Sequence, residues 1–199
     1  MAAREDRRAR RAAPGVTRFR LAHAGLDTAP ILEELAAHPG LWDQNPERRT
    51  APGSPHAAMT DIWVRARARD DLTEEDAFRK PHRPVFYPAW RALPSIQPVV
   101  FALMADHRGT ELGNVLITRL PPGEAVGVHE DHGWAVEWYN RKFYVVLRGN
   151  ARCVNTCLEE EVAMRTGEVW EFENRVPHGV ENNGAVERIS LIVTLRSEG

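Results

Sequence analysis

The sequence predicts a mainly β fold of the α+β kind, a barrel or sandwich of short strands supported by a helical N-terminal half. Three observations carry that expectation. From residue 113 onward apolar residues alternate with period 2 in short runs, turn residues separate those runs, and no long helix is interleaved. Ahead of that point the punctuation is that of helices and loops. Residues 1–14 are Arg-rich without an apolar segment and read as a solvated, disordered tail. One domain follows over 15–199, with 15–112 as helical and loop support and 113–199 as the core of the barrel.

The elements follow in order. Thr28 and Pro30 precede ILEELAAH, which stops at Pro39-Gly40, as an N-cap, an early Pro and a terminal Gly mark a helix. Asn45 to Pro55 is rich in Pro, Gly and Ser and reads as a loop, and Asp61 to Val64 as a short strand. Thr73 with Asp76 resembles a capping box. Pro94-Ser95 opens IQPVVFALMADH, where Ile96, Val99, Val100, Leu103 and Met104 fall at helical spacing. Strands are expected over Asn114–Leu120, Ala125–Asp131, Lys142–Arg148, Arg152–Leu158, Glu168–Phe172 and Arg188–Leu195, with Pro121-Pro122-Gly123 as the first break.

Composition narrows the function. The 199 residues carry 26 basic and 28 acidic side chains, a balance unlike that of a nucleic-acid binder. No apolar run approaches the roughly 18 residues of a membrane span, and a secretory signal's apolar stretch is missing, so a cytoplasmic protein without nucleic-acid or membrane partners is expected. Two cysteines do not make a disulfide scaffold. The C-x₃-C pair Cys153 and Cys157 lacks the second pair of a zinc site.

Three features of the β half carry chemistry. His129 and Asp131 stand at i and i+2 of a strand and share a face, where an imidazole and a carboxylate can take adjacent positions on a metal; alone, such a pair is most often a surface pair. His178 lies 47 residues beyond Asp131 (178 − 131), a separation that a rolled barrel can close. Two His and one carboxylate on one side of an octahedral ion leave the other side open, which suits non-haem Fe(II) and O₂. Arg188, ten residues on, shares a face with Ser190 and Ile192, while Ile189, Leu191 and Val193 share the other. Either Arg188 meets solvent at a strand end, or it points into the barrel and requires an anionic ligand such as a carboxylate.

Taken together, residues 84–195 resemble the Fe(II)- and 2-oxoglutarate-dependent oxygenases of the aspartyl/asparaginyl β-hydroxylase-like branch. The resemblance rests on LITRLPPGEAVGVHED, NRKFYVVL, GEVWEFENRVPHGVENN and ERISLIVTL. It implies a double-stranded β-helix, a cupin-like jelly roll with the N-terminal helices packed on it. It also implies Fe(II) on His129, Asp131 and His178, and Arg188 on the distal carboxylate of 2-oxoglutarate. Ser190, on the face of Arg188, joins the cosubstrate site. Lys142 and Tyr144 match positions that contact the cosubstrate; well-known aspartyl β-hydroxylases have Arg where Tyr144 stands and lack the metal-binding Asp. The implied reaction consumes 2-oxoglutarate and O₂, releases succinate and CO₂, and hydroxylates a C–H bond of an amino-acid-type substrate, a peptide Asp- or Asn-like residue or a free small amino acid.

Two alternatives stay open. Gly123 and the run His178 to Asn182 also resemble cupin motifs, so a cupin-type metalloenzyme without 2-oxoglutarate would use similar strands. A non-catalytic small-molecule-binding barrel is the other. His132 reads as an exposed turn residue, and His23, His38, His56, His82 and His107 show no ligand spacing. Trp134 and Trp138, just after the His-x-Asp, either cover a substrate or pack a loop on the barrel.

Overall fold

The larger of two antiparallel sheets has its last strand in its middle. In the computed structural model, which describes residues 18–73 and 80–198, the N-terminal half supplies β1 (Phe19–His23), α1 (Ala29–Ala37), α2 (Glu47–Thr50), β2 (Thr60–Ala66), β3 (Val85–Phe86), α3 (Ala89–Ala92) and α4 (Ile96–Asp106). The C-terminal half supplies β4 (Gly109–Leu120), β5 (Ala125–His129), α5 (Trp134–Trp138), β6 (Arg141–Arg148), β7 (Cys153–Cys157), β8 (Glu160–Ala163), β9 (Val169–Phe172), β10 (His178–Asn182) and β11 (Arg188–Ser197). The seven-stranded sheet runs β1-β9-β6-β11-β4-β2-β3 and faces a four-stranded sheet, β5-β10-β7-β8. This is the expected double-stranded β-helix.

Period 2 explains how the sheets bury both faces. On β11, Ile189, Leu191, Val193 and Leu195 join Val115, Ile117, Phe143, Val145 and Leu147 in the main core, against Ile31 and Leu35 of α1 and Ile96, Val100 and Leu103 of α4. Each such side chain contributes about 1.5–3 kcal/mol of burial. The opposite face of the large sheet looks into the barrel. There, two smaller apolar clusters form, one around Phe19, Val146, Cys157, Met164 and Phe172, the other around Met59, Leu120, Val126, Cys153 and Val180.

The structure departs from the sequence expectations in several places. The N-terminal half holds more strand than expected: β2 contains the expected Asp61–Val64 strand, and β1 and β3 further extend the large sheet at its two edges. The loop Asn45 to Pro55 contains the short helix α2. Neither Thr28 nor Ser95 caps its helix through the side chain, because both already have helical backbone angles. Asp27 Oδ1 instead accepts from Ala29 N at 3.0 Å. Ser95 donates its hydroxyl to Glu34 at 2.6 Å, tying α4 to α1. A strand not among those expected, β8, pairs with β7 as the edge of the small sheet. The capping box at Thr73–Asp76 and the 1–14 tail lie outside the described residues or reach beyond them.

Candidate metal and cosubstrate site

The barrel brings the two sequence-distant histidines face to face. β10 pairs with β5 in a register that sets His178 directly opposite His129, with an irregularity just after His178. The ring centroids are 4.3 Å apart. β5 ends at His129, and Asp131 is fixed just beyond it by its backbone N–H, which donates to the Asn174 carbonyl at 2.9 Å. Asp131 Oδ1 then lies 3.5 Å from His129 Nε2 and 4.0 Å from His178 Nε2.

Both imidazoles are oriented by their inner nitrogens. His129 Nδ1 is 2.8 Å from the Gly127 carbonyl, and His178 Nδ1 is 2.9 Å from that of Val176. A carbonyl only accepts, so each Nδ1 carries a proton there, and each Nε2 is left facing the Asp131 carboxylate. Burial, reinforced by the charge of Lys142, pushes His178 down to about 4, so the ring is neutral at neutral pH. Burial alone would raise the Asp131 carboxyl. The Lys142 charge and hydrogen bonds from His129, Lys142 and Asn174 outweigh it and hold the group far below the usual carboxylate range. Two imidazole nitrogens and one ionised oxygen thus converge, a donor set that suits a divalent transition metal.

Beside this trio the barrel holds a narrow pocket that opens to solvent. His129, Lys142, Tyr144, His178 and Arg188 line it, between Phe19 and Phe172 on one side and Met59, Val126 and Val180 on the other. Arg188 is 3% exposed, and its guanidinium sits 4.9 Å from the centre of the Tyr144 ring. Its Nη2 has no hydrogen-bond partner in the protein, and neither has Ser190 Oγ, two residues along the same face. Of the two readings open for Arg188, the inward one holds. Lys142 is placed differently from Arg188: its ammonium lies 2.5 Å from Asp131 Oδ2, and Asn174 Nδ2 reaches the same oxygen at 2.9 Å.

Some residues at the site were not legible in the sequence. His56, on the segment between α2 and β2, meets His129 edge to face at 4.8 Å between ring centroids, and its ligand atom groups with those of His129 and Asp131 within 4.8 Å. Burial and then the neighbouring Arg48 push His56 down to about 2. Arg48 is anchored on Asp61 at 2.9 Å, and Asn155 also lines the cavity. No spacing signal points to His56, which precedes His129 by 73 residues (129 − 56). Trp134 and Trp138 do not line the cavity. They stack on each other on α5, with Trp138 Nε1 donating to Glu111 at 2.9 Å, which favours loop packing. His132 is a turn residue, its Nδ1 near the Glu130 carbonyl.

Comparison with known proteins bears on the family and the fold. Residues 89–198, more than half of the chain, match the family model described as aspartyl/asparaginyl beta-hydroxylase. Two solved structures have the same fold. One is an oxidoreductase of the 2OG-Fe(II) oxygenase family from Burkholderia pseudomallei, with 18% identity over 81% of this chain and 77% of that one and a TM-score of 0.50. The other is a prolyl hydroxylase from Trichoplax adhaerens, in complex with a hypoxia inducible factor peptide fragment, with 12% identity over 89% and 83% and a TM-score of 0.54. No curated protein matches the chain.

Proposed function

This chain belongs to the aspartyl/asparaginyl β-hydroxylase family, and from that premise we propose that it is an Fe(II)- and 2-oxoglutarate-dependent hydroxylase acting on an amino-acid-type substrate. The substrate is a peptide Asp- or Asn-like residue or a free small amino acid. The overall reaction converts R–H, 2-oxoglutarate and O₂ to R–OH, succinate and CO₂.

The observation that carries this reading is the buried Arg188. A guanidinium with an orphaned Nη2 beside an orphaned Ser190 hydroxyl, at the end of a cavity, fits a carboxylate that the protein does not itself provide. A cupin-type enzyme working without 2-oxoglutarate has no need of that cation, and a non-catalytic barrel has no need of the His129, Asp131 and His178 donor set. The donor set above it fits the ion: His129 and His178 offer lone pairs at Nε2, and Asp131 offers Oδ1.

Each group then has a task. His129, Asp131 and His178 would hold Fe(II), which when bound supplies the redox chemistry of O₂ activation. Arg188 and Ser190 anchor the distal carboxylate of 2-oxoglutarate, so that its keto-acid end lies toward the histidines. Tyr144 stacks on Phe172 at 4.7 Å and forms a wall of the channel beside the guanidinium. Met59, Val126, Val180 and Phe172 exclude water, which strengthens the charge pairing inside. A cytoplasmic setting belongs to the same reading, supported by two free, buried cysteines. No helix among the described residues is long and apolar enough to cross a membrane.

The test is succinate formation with Fe(II), 2-oxoglutarate and candidate amino acids or peptides. His129→Ala and His178→Ala are expected to abolish it. Mn(II) with 2-oxoglutarate is expected to raise the melting temperature of the wild type through linkage. Full turnover by His178→Ala refutes the assignment, as does a wild type on which 2-oxoglutarate has no thermal effect.

A further inference from the structure

Lysine is scarce in this chain. Of 26 basic residues only Lys80 and Lys142 are lysines, and every other cation is arginine. An arginine fork can take both oxygens of a carboxylate, as Arg141 does here: it reaches Glu171 Oε1 at 2.5 Å through Nε and Oε2 at 2.8 Å through Nη2. At Asp131 the chain uses the compact ammonium instead. Lys142 Nζ and Asn174 Nδ2 both fall on Oδ2, at 2.5 and 2.9 Å, while Oδ1 is left facing the two histidine Nε2 atoms. A guanidinium fork engages a carboxylate through two oxygens, whereas a point charge engages one.

Lys142 also starts far along the sheet from the cosubstrate anchor, although both charges flank the Tyr144 ring, 5.7 and 4.9 Å from its centre. In the β11–β6 register Lys142 stands opposite Thr194. Arg188 is six positions further along β11 (194 − 188), about 20 Å of extended strand. The two residues thus stand well apart along the paired strands, with Tyr144 on the intervening stretch of β6.

We propose that Lys142 is a positioning residue of the metal centre: with Asn174 it holds Asp131 Oδ2, so that the carboxylate offers the ion one oxygen, and it balances the buried carboxylate before the ion arrives. The role rests on the metal reading of His129, Asp131 and His178 given above. It replaces the expectation that Lys142 contacts 2-oxoglutarate.

The test separates metal from cosubstrate. Metal-free wild type, Lys142→Met, Lys142→Arg and Asn174→Ala are titrated with Mn(II) by calorimetry, and the Mn(II)-saturated proteins are then titrated with 2-oxoglutarate. Lys142→Met is expected to lose about 10- to 100-fold in Mn(II) affinity, the usual effect of removing a group that orients a ligand. The 2-oxoglutarate affinity of the saturated protein stays within about threefold of wild type, a difference below 0.7 kcal/mol. Without metal, Lys142→Met melts lower than wild type, and adding Asp131→Asn to it recovers part of the loss, because the stranded charge is gone. Lys142→Arg keeps the metal-free melting temperature but not the Mn(II) affinity. Asn174→Ala retains the ion pair and covers the case in which Lys142→Met does not fold; it too must weaken Mn(II).

Wild-type Mn(II) affinity in either Lys142→Met or Asn174→Ala overturns the proposal, and loss of 2-oxoglutarate affinity alone in Lys142→Met makes Lys142 a cosubstrate contact. A wild type that binds Mn(II) but not 2-oxoglutarate refutes the hydroxylase reading and leaves the Mn(II) comparison to decide this one. A wild type that binds no divalent ion refutes both.

Discussion

Arg188→Met removes a buried cation whose Nη2 has no hydrogen-bond partner in the protein, and its consequences can be sized from the structure. Methionine is unbranched and of similar reach, so the side chain still packs against Tyr144, 4.9 Å from the present guanidinium. In the ligand-free protein the orphaned Nη2 disappears. That relieves about 1–3 kcal/mol of unmet desolvation, set against about 0.5–2 kcal/mol of lost cation–π attraction. The apo melting temperature should therefore change little. In the complex the balance is one-sided. A carboxylate left buried without its counter-charge costs about 3–5 kcal/mol, which at about 1.4 kcal/mol per tenfold is two to four orders of magnitude in 2-oxoglutarate affinity. Calorimetric titration of Mn(II)-loaded protein with 2-oxoglutarate measures it, and succinate formation against 2-oxoglutarate concentration gives an independent reading. A 2-oxoglutarate affinity within about threefold of wild type refutes the anchor, since it leaves under about 0.7 kcal/mol for the contact.

Two further outcomes test the pH response and the frame of the barrel. His178 is held down to about 4, whereas an unfolded His takes its proton near 6.5. Between those values the unfolded chain binds more protons, so the metal-free protein loses stability as pH falls through the window, by up to about 3 kcal/mol from this ring. His56, pushed down to about 2, acts in the same direction. Urea unfolding at pH 7 and pH 5 should show the loss, smaller in His178→Asn; a pH-independent wild type contradicts the buried neutral rings. Asn182 is fully buried, and its Nδ2 donates to the Leu120, Pro121 and Val186 carbonyls at 2.9–3.1 Å. Asn182→Ala should cost about 2–4 kcal/mol and lower the melting temperature by about 5–15 °C, with Mn(II) affinity retained.

The chemistry-bearing positions were legible where local spacing encodes geometry. The His-x-Asp spacing marked His129 and Asp131, although β5 ends at His129 and Asp131 is held by Asn174 and not by the strand, and the alternation Arg188, Ser190, Ile192 against Ile189, Leu191, Val193 separates barrel interior from core. The strand holding His178 was not legible, because Pro177, Gly179, Asn182 and Asn183 carry turn chemistry while β10 is fixed by pairing with β5 and β7. A register between residues 49 apart (178 − 129) leaves no local trace. The same holds for His56 and Arg48, delivered by a loop whose placement depends on the Arg48–Asp61 ion pair. Lys142 showed its face but not its partner, since period 2 says which side of a strand a residue takes and nothing about which oxygen it meets.

The place of β11 in the large sheet has a consequence for how the molecule comes into being. β11 lies between β4 and β6, so until Arg188–Ser197 has left the ribosome those two strands have no common neighbour, and half of the barrel wall is open. Closure is a long-range event, slow by the rule that distant pairings cost loop entropy before they return contacts. The same strand carries Arg188. A growing chain can therefore already display His129, Asp131 and His178 while lacking the anchor for its cosubstrate, and the protein acquires its proposed oxidising partner only in the step that seals the wall.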